Sequence, residues 1–567
     1  MVKFLRRQLA RADRQDYAAM AVIVGVFVLF FYPVFFRGKY FVINDAFVEL
    51  YPLRTAMWQE LRHGNLPLWT PLVLSGYPIL SMAQNAMGYP LTWGHLFLPP
   101  RWAEQIYTLT PFLLTPAFIY AYGREIKRSR FASLLAGLTF GYGGLMVSAV
   151  ANNGLLNNAV MWLPLMLIGI ERARTRSFRS SLLLTTGAYA MSLLTGVGQG
   201  FLYVGLMAVG YASFLVAASS HLPSDDTGPE WRDPKRFKPL AVVFGAIALS
   251  TGVASFQILE TMRAAQLSIR RVLSYDQFTE GAYTLTQWCK AFLFPLHYVN
   301  NATPYVAPLV MLLVLAAVVA FARNPGRDIR IVFWILLAIV GWLLMLGPNT
   351  PIYPALFHVP ILNSFRAPAR NAIEWTFAIA ILGAYGWDAA KAVLSGRSDS
   401  PNPHRHRLPK IAFSLVILSV LVMLLWRWDF ARITPLWDES NHYPAYPEIR
   451  YLLWKLGFAL LALGAVWVGL KVRSARPRSA LVGAVIVLVC FAEPSIMASR
   501  WWWPALKTRD QFIAPSATTQ FLMKYPSEEY RVYTRANLWR EEYEQQRRLD
   551  PGNLTMLYGL RNVGGYE

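Results

Sequence analysis

Arg366 and Arg370 stand four residues apart in FRAPAR, just before a long apolar run, with Pro368 between them to stiffen the backbone. A guanidinium presents a planar fork of donors that matches phosphate oxygens, and a helix start adds its own positive end. The pair predicts an anion site; Glu374, four residues beyond Arg370, offers a local ion pair as the alternative. Asp45, in NDAFVE, can take a proton from an attacking hydroxyl as a general base, or simply cap the helix expected over 46–62. Glu49 lies four residues on, too far for a DxD metal motif. Asn152, Asn153, Asn157 and Asn158 in ANNGLLNN, and Gln199 in GVGQ, carry amides that both donate and accept. They suit sugar hydroxyls or a buried contact between helices. Glu260, followed by Arg263, Arg270 and Arg271, suits either an interfacial helix or further ligands for a phosphate.

These residues need elements to hold them, and the composition says which kind. The chain has 567 residues, 55% hydrophobic and 15% charged; an ordinary globular protein carries about 25% charge. Apolar stretches long enough to cross a bilayer fall at about 17–36, 105–122, 131–150, 154–171, 180–194, 199–218, 239–258, 304–322, 331–347, 371–392, 411–428, 451–471 and 479–498. With the basic N-terminus placed in the cytoplasm, the connections on that side hold 27 Lys and Arg in 85 residues. The opposite connections, up to residue 450, hold 13 in 165. This asymmetry is the positive-inside pattern. The net charge of +22 is therefore a topology signal and not a nucleic-acid footprint. The first stretch reads as a retained anchor, since it is too long for a signal-peptide core. Cys289 and Cys490 cannot build a disulfide framework or a thiolate metal site.

All four polar clusters then lie on the external side, in loops 37–104, 259–303 and 348–370 and in short turns. Within the first loop, Phe47, Leu50, Met57 and Leu61 recur at helical spacing, which predicts an amphipathic helix on the membrane surface holding Asp45 at its rim. The expected fold is an all-α polytopic membrane protein of about 13 transmembrane helices over 1–498. Residues 499–567 form a small external α/β segment: APSATTQFLMKYP reads as a helix and YRVYT, 530–534, as a strand. Its abrupt end at GGYE suggests a truncation. Short linkers fit a bacterial inner membrane. The sequence has no Walker A loop, no HExxH and no nucleophile elbow, so neither an obligatory metal nor a cofactor is expected.

The run ND…ELYP…GNLPLWTP…SGYPIL…AQNAMGYP resembles the opening signature of YfhO-type bacterial membrane proteins. MWLPLMLIGIERA, SLLTGVGQ, QILETMRAAQLSIR, FRAPAR and NLTMLYGLRNVGGYE follow in the same order as that family's later segments. The family is similar to the GT-C glycosyltransferases, which move a sugar from a polyprenyl-phosphate donor to an external acceptor. The resemblance implies Asp45 as base, Arg366 and Arg370 as ligands of the donor phosphate, and an inverting single displacement. It adds Gln84 and Tyr89, with Glu49, Asn152, Asn153, Gln199, Glu260 and Arg270, as substrate-binding candidates. The implied partners are an undecaprenyl-phosphate-linked sugar, an envelope glycan, lipid or protein as acceptor, and the bilayer. Two readings from other classes remain: a lipid or polysaccharide transporter or flippase, for which no internal repeat is visible, and a non-catalytic envelope-assembly scaffold.

Overall fold

The computed structural model describes residues 13–41, 46–150, 154–222, 234–267, 273–293, 302–323, 328–394, 514–533 and 553–565, with 491, 495, 506 and 508. Asp45, Asn152, Asn153 and Arg270 lie outside the described residues. So do the apolar stretches 411–428 and 451–471 and almost all of 479–498.

The described residues are helical, and their β-type pairings are isolated bridges at Thr70–Tyr77 and Val532–Asn562. The longer helices are α1 (Arg14–Phe30), α2 (Tyr51–Arg62), α3 (Pro100–Glu125), α4 (Arg130–Gly141), α5 (Leu163–Thr175), α6 (Phe178–Leu194) and α7 (Gly198–Ala217). They continue as α8 (Lys238–Val253), α9 (Ser255–Leu267), α10 (Pro308–Arg323), α11 (Arg330–Met345) and α12 (Ala372–Leu394). Among the described residues, Arg130–Ala149, Gly198–Ala217 and Pro234–Val253 are long and apolar enough to cross a membrane; Pro308–Arg323 and Arg330–Met345 are shorter apolar helices.

α12 is the central post. It is buried on every side from Ala372 to Trp387, and α4, α10 and α11 pack along it. A second group, α5, α6 and α8, packs beside α7. α3 keeps its helix through Pro111 and Pro116 because α4 closes on it there: Gly137 and Gly141 press against Pro116, and a Cβ at Gly137 would come within 2.5 Å of the Pro116 carbonyl oxygen.

Charged side chains gather at one end of this bundle. Arg330 grips both carboxylate oxygens of Glu171, at 2.6 and 2.8 Å, and also reaches Asp328 at 2.9 Å. Tyr385 donates to Asp328 at 2.7 Å, while Asp388 accepts from the Ser129 backbone N–H at 3.1 Å. The network ties α5, α11, α12 and the connection after α3 at residues that the charge pattern assigns to one side.

Two expectations are corrected here. The helix over 46–62 forms, as a π-turn at Ala46–Leu50 running into α2, but it does not lie on a surface. Every residue from Leu50 to Trp58 is buried. The cover is the chain's own C-terminal part: Leu554 packs with Phe47 and Tyr51, and Met556 with Leu53 and Trp58. Of the strand expected at 530–534, the described part, 530–533, forms one bridge. Val532 exchanges bonds of 2.8 Å with Arg561 and Val563, and nothing extends the ladder among the described residues. Ser516 does cap a helix, Ala517–Leu522, through the Thr519 N–H.

Candidate functional site

The loop ends opposite the charged network converge, and three close contacts bring them together. Gly196 adopts φ +72 and sits so tightly on the first loop that a Cβ there would lie 1.9 Å from the Ala83 carbonyl oxygen. Only glycine meets both demands. Gln257 and Thr261 of α9 donate to the carbonyls of Leu80 and Ser81, each at 2.9 Å. Gly198, at the start of α7, faces the Phe365 ring. Residues 79–85, 195–199 and 365–371 thereby form one polar corner.

Arg370 lies in this corner on a single turn, Pro368–Asn371, that leads into α12. Ala367 before it takes φ +67, a left-handed conformation for a residue with a Cβ, and that bend presents the guanidinium. The Arg370 side chain donates to Gln199 Oε1 at 2.7 Å, and Gln199 Nε2 donates to the Tyr203 hydroxyl at 2.7 Å. Sequence reasoning placed Arg370 and Gln199 on the same side; the structure joins them directly. Tyr203, one turn further along α7, was missed. The local pair with Glu374 does not form: among the described residues Arg370 has no carboxylate partner. Burial, and the nearby Arg366 charge, hold its pKa below the ordinary arginine value, while the Tyr203 hydroxyl opposes them. It remains a cation at any physiological pH. Arg366 is different, half-exposed and paired at 3.1 Å with Glu280, an acid that the sequence reading did not single out.

No protein-family model matches the sequence, and no curated protein is similar at a significant level. Solved structures resemble the chain distantly. One is ArnT from Cupriavidus metallidurans bound to undecaprenyl phosphate, at 11% identity and TM-score 0.49 over 96% of this chain and 89% of that one. Another is the arabinofuranosyltransferase AftD from Mycobacteria, at 13% identity and TM-score 0.43, over 72% of this chain and 26% of that one. The residues carry the argument that follows.

The first loop holds a second polar centre. Arg54 of α2 is fully buried, bonded to Glu104 at 2.7 Å and to the Gln84 carbonyl at 2.9 Å, with its guanidinium 3.9 Å above the Tyr107 ring. Gln84 thus contributes its backbone here. His95 Nε2 lies 3.6 Å from Glu104. Burial and the Arg54 charge hold the imidazole pKa down at about 3 against the lift of its bond to the Thr92 carbonyl, so the ring is neutral. The chain on either side of Asp45 is anchored to the same centre: Phe41 exchanges two bonds with Gln105, at 2.7 and 3.2 Å, and Ala46 is buried.

The remaining candidates divide. Tyr89 is fully buried, its hydroxyl between Asn158 at 3.2 Å and the Trp162 indole at 3.1 Å, so it serves the packing of the first loop onto the bundle. Asn157 and Asn158 are buried and bonded to backbone carbonyls, which is the helix-contact alternative. Glu49 is buried beside α2. Glu260 pairs with Arg263 on an exposed face of α9, at 2.9 Å. Among the described residues no three His, Cys, Asp or Glu side chains gather as metal ligands.

Proposed function

We propose that this chain is a multi-pass membrane glycosyltransferase that takes its sugar from a polyprenyl-phosphate-linked donor. The observation that carries the reading is Arg370: a guanidinium set into the corner where three loop ends meet, aimed by Gln199, with no carboxylate among the described residues to neutralise it. A cation partly withdrawn from water, with no counter-ion among the described residues, suits an anionic ligand, and a lipid phosphate at a membrane rim meets that demand. Arg366, at the open edge, adds long-range attraction. In the transfer step the acceptor hydroxyl attacks the anomeric carbon, Asp45 takes its proton, and the lipid phosphate leaves. Arg370 stabilises the charge developing on that phosphate. The reading puts the N-terminus in the cytoplasm and the site on the external face of a bacterial inner membrane, with 499–567 as an external segment. Glu49, Gln84, Asn152, Asn153, Glu260 and Arg270 are then further substrate candidates.

The test uses purified full chain in nanodiscs with radiolabelled polyprenyl-phosphate sugars. Asp45→Asn is expected to abolish transfer while leaving donor binding intact, and Arg370→Ala to weaken donor binding. Transfer by Asp45→Asn at the wild-type rate removes the base assignment.

A further inference from the structure

Glu374 is the group in this corner that nothing above uses. It lies in the first turn of α12, four residues after Arg370, and is 6% exposed. Its Oε2 is buried and has no hydrogen-bond partner among the described residues. Packing holds the residue in place: Gly341 of α11 sits so close that a Cβ there would be 2.9 Å from the Glu374 Cβ and 2.8 Å from the Trp375 nitrogen. Tyr203, which completes the Arg370–Gln199 relay, lies in the electrostatic field of both Arg370 and Glu374. The carboxyl group lies about one helical turn beyond Arg370, where the Pro368–Asn371 turn runs into α12. A buried carboxyl oxygen without a partner costs a few kcal/mol, and apolar helices retain one where a ligand or a reaction needs it.

We infer that Glu374 is a specificity-determining residue that binds a ring hydroxyl of the donor's sugar, next to the phosphate site at Arg370. The inference rests on the donor reading proposed above. Four residues along a helix is about 6 Å. A ring hydroxyl across a hexose from its anomeric phosphate spans a similar distance. A phosphate at Arg370 thus brings such a hydroxyl to Glu374, where the free oxygen accepts its hydrogen bond. Gln199 and Tyr203 act here as positioning residues, since their polar atoms are already committed to Arg370 and to each other.

Binding of two kinds of probe to the full chain separates the subsites: decaprenyl phosphate alone, and decaprenyl phosphate carrying glucose, galactose or N-acetylglucosamine. The wild type is expected to bind at least one sugar-bearing lipid more tightly than the bare phosphate. Glu374→Met should remove that gain, about three- to tenfold for one hydrogen bond, and Glu374→Gln, whose amide oxygen still accepts, should keep part of it, with decaprenyl phosphate affinity unchanged in both. Arg370→Ala should weaken both probes. Glu374→Met should melt no lower than wild type, because it removes an unpartnered polar group. If the sugar-dependent gain survives in Glu374→Met, or both probes weaken together with a lowered melting temperature, the subsite is overturned. If the wild type binds none of the probes, the donor reading itself fails.

Discussion

Arg366 faces Glu280 across an exposed edge, whereas Arg370 is partly buried and, among the described residues, bonds the Gln199 amide. An exposed ion pair contributes about 0–1 kcal/mol, so Arg366→Ala should lower donor affinity less than about fivefold. Arg370→Ala removes charge-assisted bonds of about 1.5–3 kcal/mol, which is roughly 10- to 100-fold. Arg370→Lys should recover little, because a lysine cannot both hold Gln199 and fork onto a phosphate. Isothermal titration with decaprenyl phosphate checks the order; equal losses at the two arginines would contradict it. His95 makes a prediction about acid. Its folded pKa of about 3 lies below the ordinary histidine value of 6.5. As pH falls through that window the unfolded chain takes up a proton that the folded chain refuses. Stability should therefore decline toward acid by about 1.4 kcal/mol per pH unit from this residue alone. His95→Gln should flatten the melting curve between pH 6.5 and 4 relative to wild type; an unchanged slope would show that the ring is not held neutral.

At the scale of elements, the apolar runs within the described residues announced where helices would form, because a helix end is local chemistry: Pro100 opens α3, and Ser129 caps α4. What a helix would touch was another matter. α2 carries the spacing of a surface helix, yet residues 554–556, five hundred positions later, cover it. The Arg54–Glu104 pair spans 50 positions and the Arg370–Gln199 bond spans 171; neither distance leaves a periodic trace. Arg370 itself was legible, since a cation on a side depleted of cations stands out. Its partner was legible only as a polar residue on the same side, and Glu280 and Tyr203 gave no signal above their neighbours. The Glu171–Arg330–Asp328 network is likewise non-local, and it yields a clear expectation. Arg330→Met takes the shared cation from two buried carboxylates, leaving Glu171 to Tyr211 and Arg174 and Asp328 to Tyr385 and Arg128, which should cost about 3 kcal/mol. Thermal unfolding in detergent measures it; a shift too small for that loss would mean water reaches the network.

For the whole molecule, the charge pattern sorts the connections into two sets, and several of their described residues meet in two groups. Arg128, Glu171, Asp328, Arg330 and Asp388 form one; residues 79–85, 195–199, 280–283 and 365–371 form the other. If a bilayer lies between them, Lys127→Cys and Ser364→Cys, both at exposed positions, should react with a membrane-impermeant maleimide from opposite sides. The background would be Cys289→Ser with Cys490→Ser. In intact cells only the second should label, and labelling of both would refute the two-sided arrangement.

α12 joins those two groups as one unbroken rod of 23 residues. From Arg370 to Asp388 is about 27 Å of helix, close to the roughly 30 Å of a hydrocarbon core. The helix is thus a ruler. Its far end is pinned by the Asp388 contact with Ser129 and the Tyr385 contact with Asp328, so the height of Arg370 above that end is set by rigid geometry and not by the surrounding fat. A lipid's phosphate, by contrast, floats at whatever level the thickness of its membrane dictates. On the donor reading proposed above, the two levels agree at one thickness, and the composition of the membrane then tunes how readily this corner meets its ligand.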